Sequence, residues 1–159
     1  MDIGGERAAS AVVWVTEDLR VGCQVFQGTE AVLAVLGRVR NLAAEYDVRE
    51  LAYDPWRFTQ AALDWRPGDA VVEFPQSHER MTRASERLHA AVTEGRLRHP
   101  NDPELNRHVA QAIAKDTPRG WRLDKSGRAA QIDAVVALAM AVERAEQPQP
   151  KRTRYMGML

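Results

Sequence analysis

Two short runs, AVVWV over residues 11–15 and VGCQVF over 21–26, are rich in β-branched and aromatic residues. The polar TEDLR between them reads as a hairpin connection. From Thr29 the period changes. Val32, Val35, Leu36, Val39, Ala43 and Tyr46 keep the i, i+3, i+4, i+7 spacing of one apolar helix face. VRELAY, 48–53, reads as a strand that stops at Asp54. Pro55 biases Asp54 toward extended backbone and suits the first turn of a helix from about Trp56 to Asp64. RPGD is a turn, and AVVEF, 70–74, is the next strand.

The second half is mainly helical. Met81, Ala84, Leu88, Ala91 and Val92 make a stripe, with Ser77 as its cap and Gly95 as its stop. Asp102 and Pro103 have the order of an N-cap and a first helical residue, and Leu105, Val109, Ala112 and Ile113 give that helix its buried side. TPRGWRLDKSGRA suits a short hairpin. The last helix is predicted from about Ala129 to Glu146, with Ile132, Val135, Val136, Ala139 and Met140 inward. QPQPKRTRYMGML alternates Gln and Pro and then turns basic, as extended or disordered tails do. The expected organisation is one domain over 1–146 and a flexible basic tail over 147–159. Strands, helix, strand, helix, strand and then helices predict an α/β fold, a mixed sheet with helices on both faces.

Composition narrows this little. A chain of 159 residues fits one domain with a real core, and a formal net charge of zero removes any global electrostatic argument for nucleic acid. Cys23 is the single cysteine, which excludes an internal disulfide or a cysteine zinc cluster and suits a reducing compartment. The longest apolar run, Ala134 to Val142, is far short of a membrane span, and no secretion signal is expected at the start. His78, His89, His99 and His108 lack the i, i+4 spacing of zinc helices. His99 has either a structural role or one near a site. The four tryptophans are spread out, as packing residues are.

Three acids carry the candidate chemistry. Asp2 precedes two glycines, which permit close backbone approach. Asp54 ends a predicted inner strand. Asp133 lies near the first turn of the last helix, flanked by Ile132 and a long apolar run. Functional groups of open sheets gather at the carboxyl ends of strands. Three anions meeting there would repel each other unless divalent cations joined them. Mg²⁺ or Mn²⁺ takes oxygen ligands, and two such ions roughly 4 Å apart can assist phosphodiester cleavage. Each acid also has a plainer reading: Asp54 as turn chemistry, Asp133 as an acid favoured by the helix dipole, Asp2 as a frayed terminal residue. Arg80, Arg83 and Arg87 share a helix face at i, i+3, i+7. They can bind phosphates, or pair with Glu79 and Glu86 on a solvated face.

DIGGERAASAVVWV, LAYDPWRF, VVEFPQSHERMTRASERLHAAVTEGRLRHPNDPELNRHV and GWRLDKSGRAAQIDAVVALAMA together resemble the C-terminal nuclease domain of tailed-bacteriophage terminase large subunits. The resemblance covers nearly the whole chain. It implies a ribonuclease H-like mixed sheet of about five strands flanked by helices on both faces. The implied activity is a metal-dependent endonuclease that cuts double-stranded concatemeric DNA during packaging. Asp2, Asp54 and Asp133 then match the family's three acids, with two Mg²⁺ or Mn²⁺ ions. Lys125 matches a lysine before the last helix, either charge-stabilising, DNA-contacting or merely a surface residue; Asp124 is an auxiliary ligand or exposed. Implied partners are double-stranded DNA, an ATPase motor domain, the portal and the small terminase subunit, in the cytoplasm of a bacterial host and without a membrane. No GxxxxGK[ST] phosphate loop occurs, so ATP-driven translocation is not expected of this chain. Little sequence precedes Asp2, which leaves open a noncatalytic docking module with an incomplete active site. A further alternative is a resolvase-like enzyme preferring branched DNA.

Overall fold

The computed structural model describes residues 9–28, 31–55 and 70–148. Strands β1 (Ala9–Val15) and β2 (Val21–Gln27) form the expected antiparallel hairpin. Its turn is tied by Thr16 Oγ1, which donates to Asp18 Oδ1 at 2.6 Å and accepts the Arg20 N–H at 3.0 Å. Trp14 stands opposite Gly22. A Cβ at residue 22 would come within 2.0 Å of the indole, so the ring lies across that glycine. The Arg38 guanidinium covers the Trp14 ring at 4.7 Å.

Helix α1 (Ala31–Glu45) buries Ala31, Val35 and Leu42. Val32 and Tyr46, expected on the same inward face, are 41% and 52% exposed. The reason is that one narrow stripe suffices against a two-stranded ribbon. Strand β3 (Glu50–Tyr53) and β4 (Ala70–Glu73) pair in parallel, Tyr53 opposite Glu73. The helix predicted over 56–64 and the RPGD turn lie outside the described residues. Phe74 follows β4. Its N–H donates to the Tyr53 carbonyl at 2.8 Å, its ring is fully buried, and the Arg80 guanidinium stacks on it at 4.2 Å.

Helix α2 (His78–Thr93) starts at Ser77, whose hydroxyl accepts the Arg80 N–H at 3.3 Å. Gly95, at φ +67°, follows its end, as the αL position after a helix requires. Met81, Ala84, Leu88 and Ala91 are buried as the stripe predicts, while Val92 is 55% exposed. Helix α3 (Pro103–Ala110) starts at Asp102, whose carboxylate accepts the Leu105 N–H at 2.8 Å.

Here one expectation fails. Ala112 and Ile113 do not extend that helix. They open β5 (Ala112–Thr117), which pairs antiparallel with β6 (Gly120–Lys125). Val109 and Ile113 are both about half exposed, at 49% and 46%. The helix stops at Gln111, and the anticipated hairpin begins earlier than its turn residues suggested. Helix α4 (Asp133–Ala145) starts four residues later than expected, its buried face including Val135, Leu138, Ala139 and Val142. Residues 149–159 of the basic tail lie outside the described residues.

The described strands therefore pair two by two, with one isolated parallel bridge between Arg20 and Arg98. A continuous mixed sheet of about five strands is not formed among them. Strands β1 and β3, each paired on one side only, instead line a common cleft. Helices do cover both faces of the β1–β2 hairpin. Val12 packs with Val35 and Leu42 of α1, whereas Ala11, Val13 and Val15 pack against the main core of α2 and α4. The alternation of strand side chains produces this division. Buried Ser85 links α2 to β6: its hydroxyl donates to the Met81 carbonyl at 2.6 Å and accepts the Leu123 N–H at 3.0 Å.

Candidate functional site

The cleft has a volume of about 880 Å³ and is walled by β1, α1, β3, the end of β6 and one side of α4. Asp54 enters it from the end of β3, where Pro55 turns the chain out of the strand. The half-buried Asp54 carboxylate accepts the Gln76 side-chain N–H at 3.0 Å. Asp133 enters the same cleft as the first residue of α4, also half-buried. Two of the three acids singled out above thus line one cleft. Asp2 lies outside the described residues.

Asp124 and Lys125, at the end of β6, complete this wall. Asp124 is not the exposed alternative considered above: its side chain is 25% exposed. Lys115 approaches it at 3.0 Å and Arg122 at 3.1 Å, and it accepts the Lys125 N–H at 2.8 Å. The Lys115 ammonium and the Lys125 backbone N–H hold its carboxyl below the usual aspartate value, with Arg122 adding to the effect. Lys125 itself is exposed. Deeper in the cleft, Arg144 of α4 grips Glu50 of β3 through two hydrogen bonds, at 2.5 and 2.8 Å.

The segment leading into Asp133 is held from the end of α3. Arg107 donates to the Gln131 side chain at 3.0 Å, and the Gln111 side chain accepts the Gln131 N–H at 2.6 Å. His108, fully buried, accepts the Ala134 N–H through Nδ1 at 2.9 Å. Metal-ligand spacing gave no reason to single out His108. The usable signal was positional: it stands three residues after Leu105, on the buried side of α3.

The three arginines of α2 are engaged within the chain. Arg80 lies over Phe74, Arg83 approaches Glu79 at 3.9 Å, and Arg87 pairs with Glu146 at 3.0 Å. His99 accepts the Asn101 N–H in its own loop. Burial, with Asp102 and Glu104 adding to it, pushes the Cys23 thiol up to about 11, so it is no thiolate nucleophile at neutral pH.

The acids Asp54 and Asp133 offer oxygen donors alone. That suits a hard cation that keeps several of its waters and does not suit zinc. Among the described residues, no three His, Cys, Asp or Glu side chains form a metal cage. Nor is any helix among them long and apolar enough to cross a membrane.

The family model for the terminase large subunit endonuclease domain matches residues 24–148. Over 115 residues the chain is 31% identical to the terminase large subunit of Enterobacteria phage HK97, an alignment covering 68% of this chain and 22% of that protein. The chain thus spans about a fifth of that curated relative's length. Among solved structures, the large terminase nuclease from thermophilic phage G20c matches with a TM-score of 0.68 at 19% identity, over 88% of this chain and 77% of that one. The same nuclease with bound magnesium matches with a TM-score of 0.64 at 18% identity, over 90% and 78%. At these identities the likeness establishes the fold.

Proposed function

The chain belongs to the terminase large subunit endonuclease-domain family, and from that premise we propose that it is a metal-dependent endonuclease that hydrolyses phosphodiester bonds of double-stranded concatemeric DNA during phage packaging. The observation that carries this reading is the meeting of Asp54 and Asp133 in one cleft, one from a strand end and one from a helix start. In this reading Asp2 is the third acid and the sheet is ribonuclease H-like, with about five strands. The magnesium found with the G20c nuclease supports a divalent ion here.

Asp54 and Asp133, with Asp2, would hold two Mg²⁺ or Mn²⁺ ions. Such ions supply Lewis acidity to the scissile phosphate and lower the pKa of an attacking water. Gln76 orients the Asp54 carboxylate. Lys125 provides a cationic contact for DNA at the rim, with Arg80, Arg83 and Arg87, which also contact Phe74, Glu79 and Glu146, as weaker candidates. The working partners are double-stranded DNA, an ATPase motor domain, the portal and the small subunit, in the bacterial host cytoplasm.

Nicking of supercoiled plasmid in Mg²⁺ or Mn²⁺, with chelator controls, tests this. Asp54→Asn and Asp133→Asn should each lose orders of magnitude in rate. Cleavage by both variants at the parental rate would sink the assignment. DNA binding without cutting, and with no Mn²⁺-dependent rise in melting temperature, would instead identify a noncatalytic docking module.

A further inference from the structure

Helix α4 begins without a cap of its own. Its N-cap position is Ile132, at φ −128° and ψ 12°, and makes no side-chain cap hydrogen bond. Helices normally satisfy a free first-turn N–H with Ser, Thr, Asp or Asn at that position. Here the acceptor for Ala134 comes from another helix, as the Nδ1 of His108, 26 residues earlier. The ring is fully buried, so water does not substitute for it.

We infer that His108 is a positioning residue for Asp133: its Nδ1 lone pair holds the first turn of α4 through the Ala134 N–H and so fixes where the Asp133 carboxylate enters the cleft. This rests on the reading of Asp133 as a metal ligand. The shorter of the two ring contacts, from the backbone, assigns the tautomer. Ala134 N–H is a donor, so Nδ1 carries no proton and Nε2 does. Arg107 Nη2 lies 3.2 Å from Nε2, a contact that is a hydrogen bond only in the other tautomer. The guanidinium has its acceptors elsewhere, in Glu104 at 2.6 Å and Gln131 at 3.0 Å. Burial, followed by the Arg107 charge, lowers the His108 pKa against the opposite pull of Asp133 and Glu104. An Nδ1 that accepts the Ala134 N–H belongs to a neutral ring, as the cap needs. Arg107 and Gln111 meanwhile hold Gln131, so three residues at the end of α3 grip the four-residue entry to α4. Groups that orient metal ligands in this way typically change metal affinity by 10–100-fold when removed.

Asn and Gln separate this role from simple packing. The Asn carboxamide oxygen sits as many bonds from Cβ as Nδ1 does, whereas the Gln oxygen reaches the place of Nε2. His108→Asn should therefore keep the cap, and His108→Gln and His108→Leu should lose it. Two readouts apply to the whole chain. The first is the Mn²⁺ concentration giving half-maximal thermal stabilisation, expected near the parental value in H108N and raised about tenfold or more in H108Q and H108L. The second is hydrogen exchange at Ala134 with the Asp133 carboxyl ¹³C shift, expected to change only in H108Q and H108L. Should H108L fail to fold, the Asn–Gln pair decides. Equal values in those two, or unfolding of both, would reduce His108 to a packing residue. If the parental chain shows neither Mn²⁺ response nor cleavage, the nuclease reading fails, while the exchange and carboxyl signals still decide the cap.

Discussion

The two sides of the β1–β2 hairpin are built to different standards. Among the described residues on the α4 side, fifteen buried side chains form one cluster, and Ser85 and His108 knit its elements together by buried hydrogen bonds. On the α1 side the described residues supply three buried side chains, with Trp14, Phe26 and Val39 around them and Arg38 laid over the indole. Asp133 rises from the first side. Helix α1 itself contributes cleft wall through Val35, Leu36 and Val39, and no acid from within it lines the cleft among the described residues. Carboxylates that must be held to a fraction of an ångström are best mounted on the densely packed layer, and the thinner layer can yield without moving them.

That contrast can be broken most directly by truncation. Phe74→Ala, on the dense side, should cost about 3–5 kcal/mol in urea unfolding, and Leu42→Ala, on the thin side, about 2 kcal/mol. Equal losses would mean that the two layers are energetically alike. The next effect concerns the link between α4 and β3. Arg144→Leu removes the bidentate partner of Glu50, whose side chain is only 10% exposed, and should cost about 3 kcal/mol. A neutral result would show that β3 is fixed to α4 without that pair.

A smaller loss, about 1–2 kcal/mol, is expected for Gly22→Ala, because the new methyl forces the indole off the strand and out from under Arg38. The smallest effect is a pH dependence on the dense side. The Asp124 carboxyl has its folded pKa below the ordinary 3.8, so its stabilising contribution is present above that value and lost as pH falls through the folded pKa. Asp124→Asn should therefore lower the unfolding midpoint at pH 7 and leave it unchanged once acid has protonated the parental carboxyl. A constant difference across that range would remove Lys115 and the Lys125 N–H as the cause.

Much of this was legible in the chain. Ser77 and Asp102 cap their helices because each side-chain oxygen accepts the N–H three residues on, and Met81, Ala84, Leu88 and Ala91 of the α2 stripe are buried as their period requires. The cleft positions of Asp54 and Asp133 follow from a strand that stops just before Asp54 and Pro55 and from an acid near the first turn of an apolar helix. What misled was Ala112 and Ile113. They continue the i, i+3, i+4 spacing of Leu105 and Val109, and no Gly or Pro marks the change to a strand. The pairing with Gly120–Lys125 decides the matter, and that is a tertiary fact. The partner of Ala134 was hidden for a similar reason. A helix with isoleucine at its cap position announces that an acceptor must come from elsewhere, but not from which residue.

Trp14 and Gly22 also bear on how the chain finds its fold. The indole can lie flat only where the facing residue has no side chain, and β2 offers one such notch, between Val21 and Cys23. A slip of one position would meet a side chain and turn every residue of β1 toward the wrong layer. The pair works as a register key: a hairpin aligned one residue off has no place for the indole.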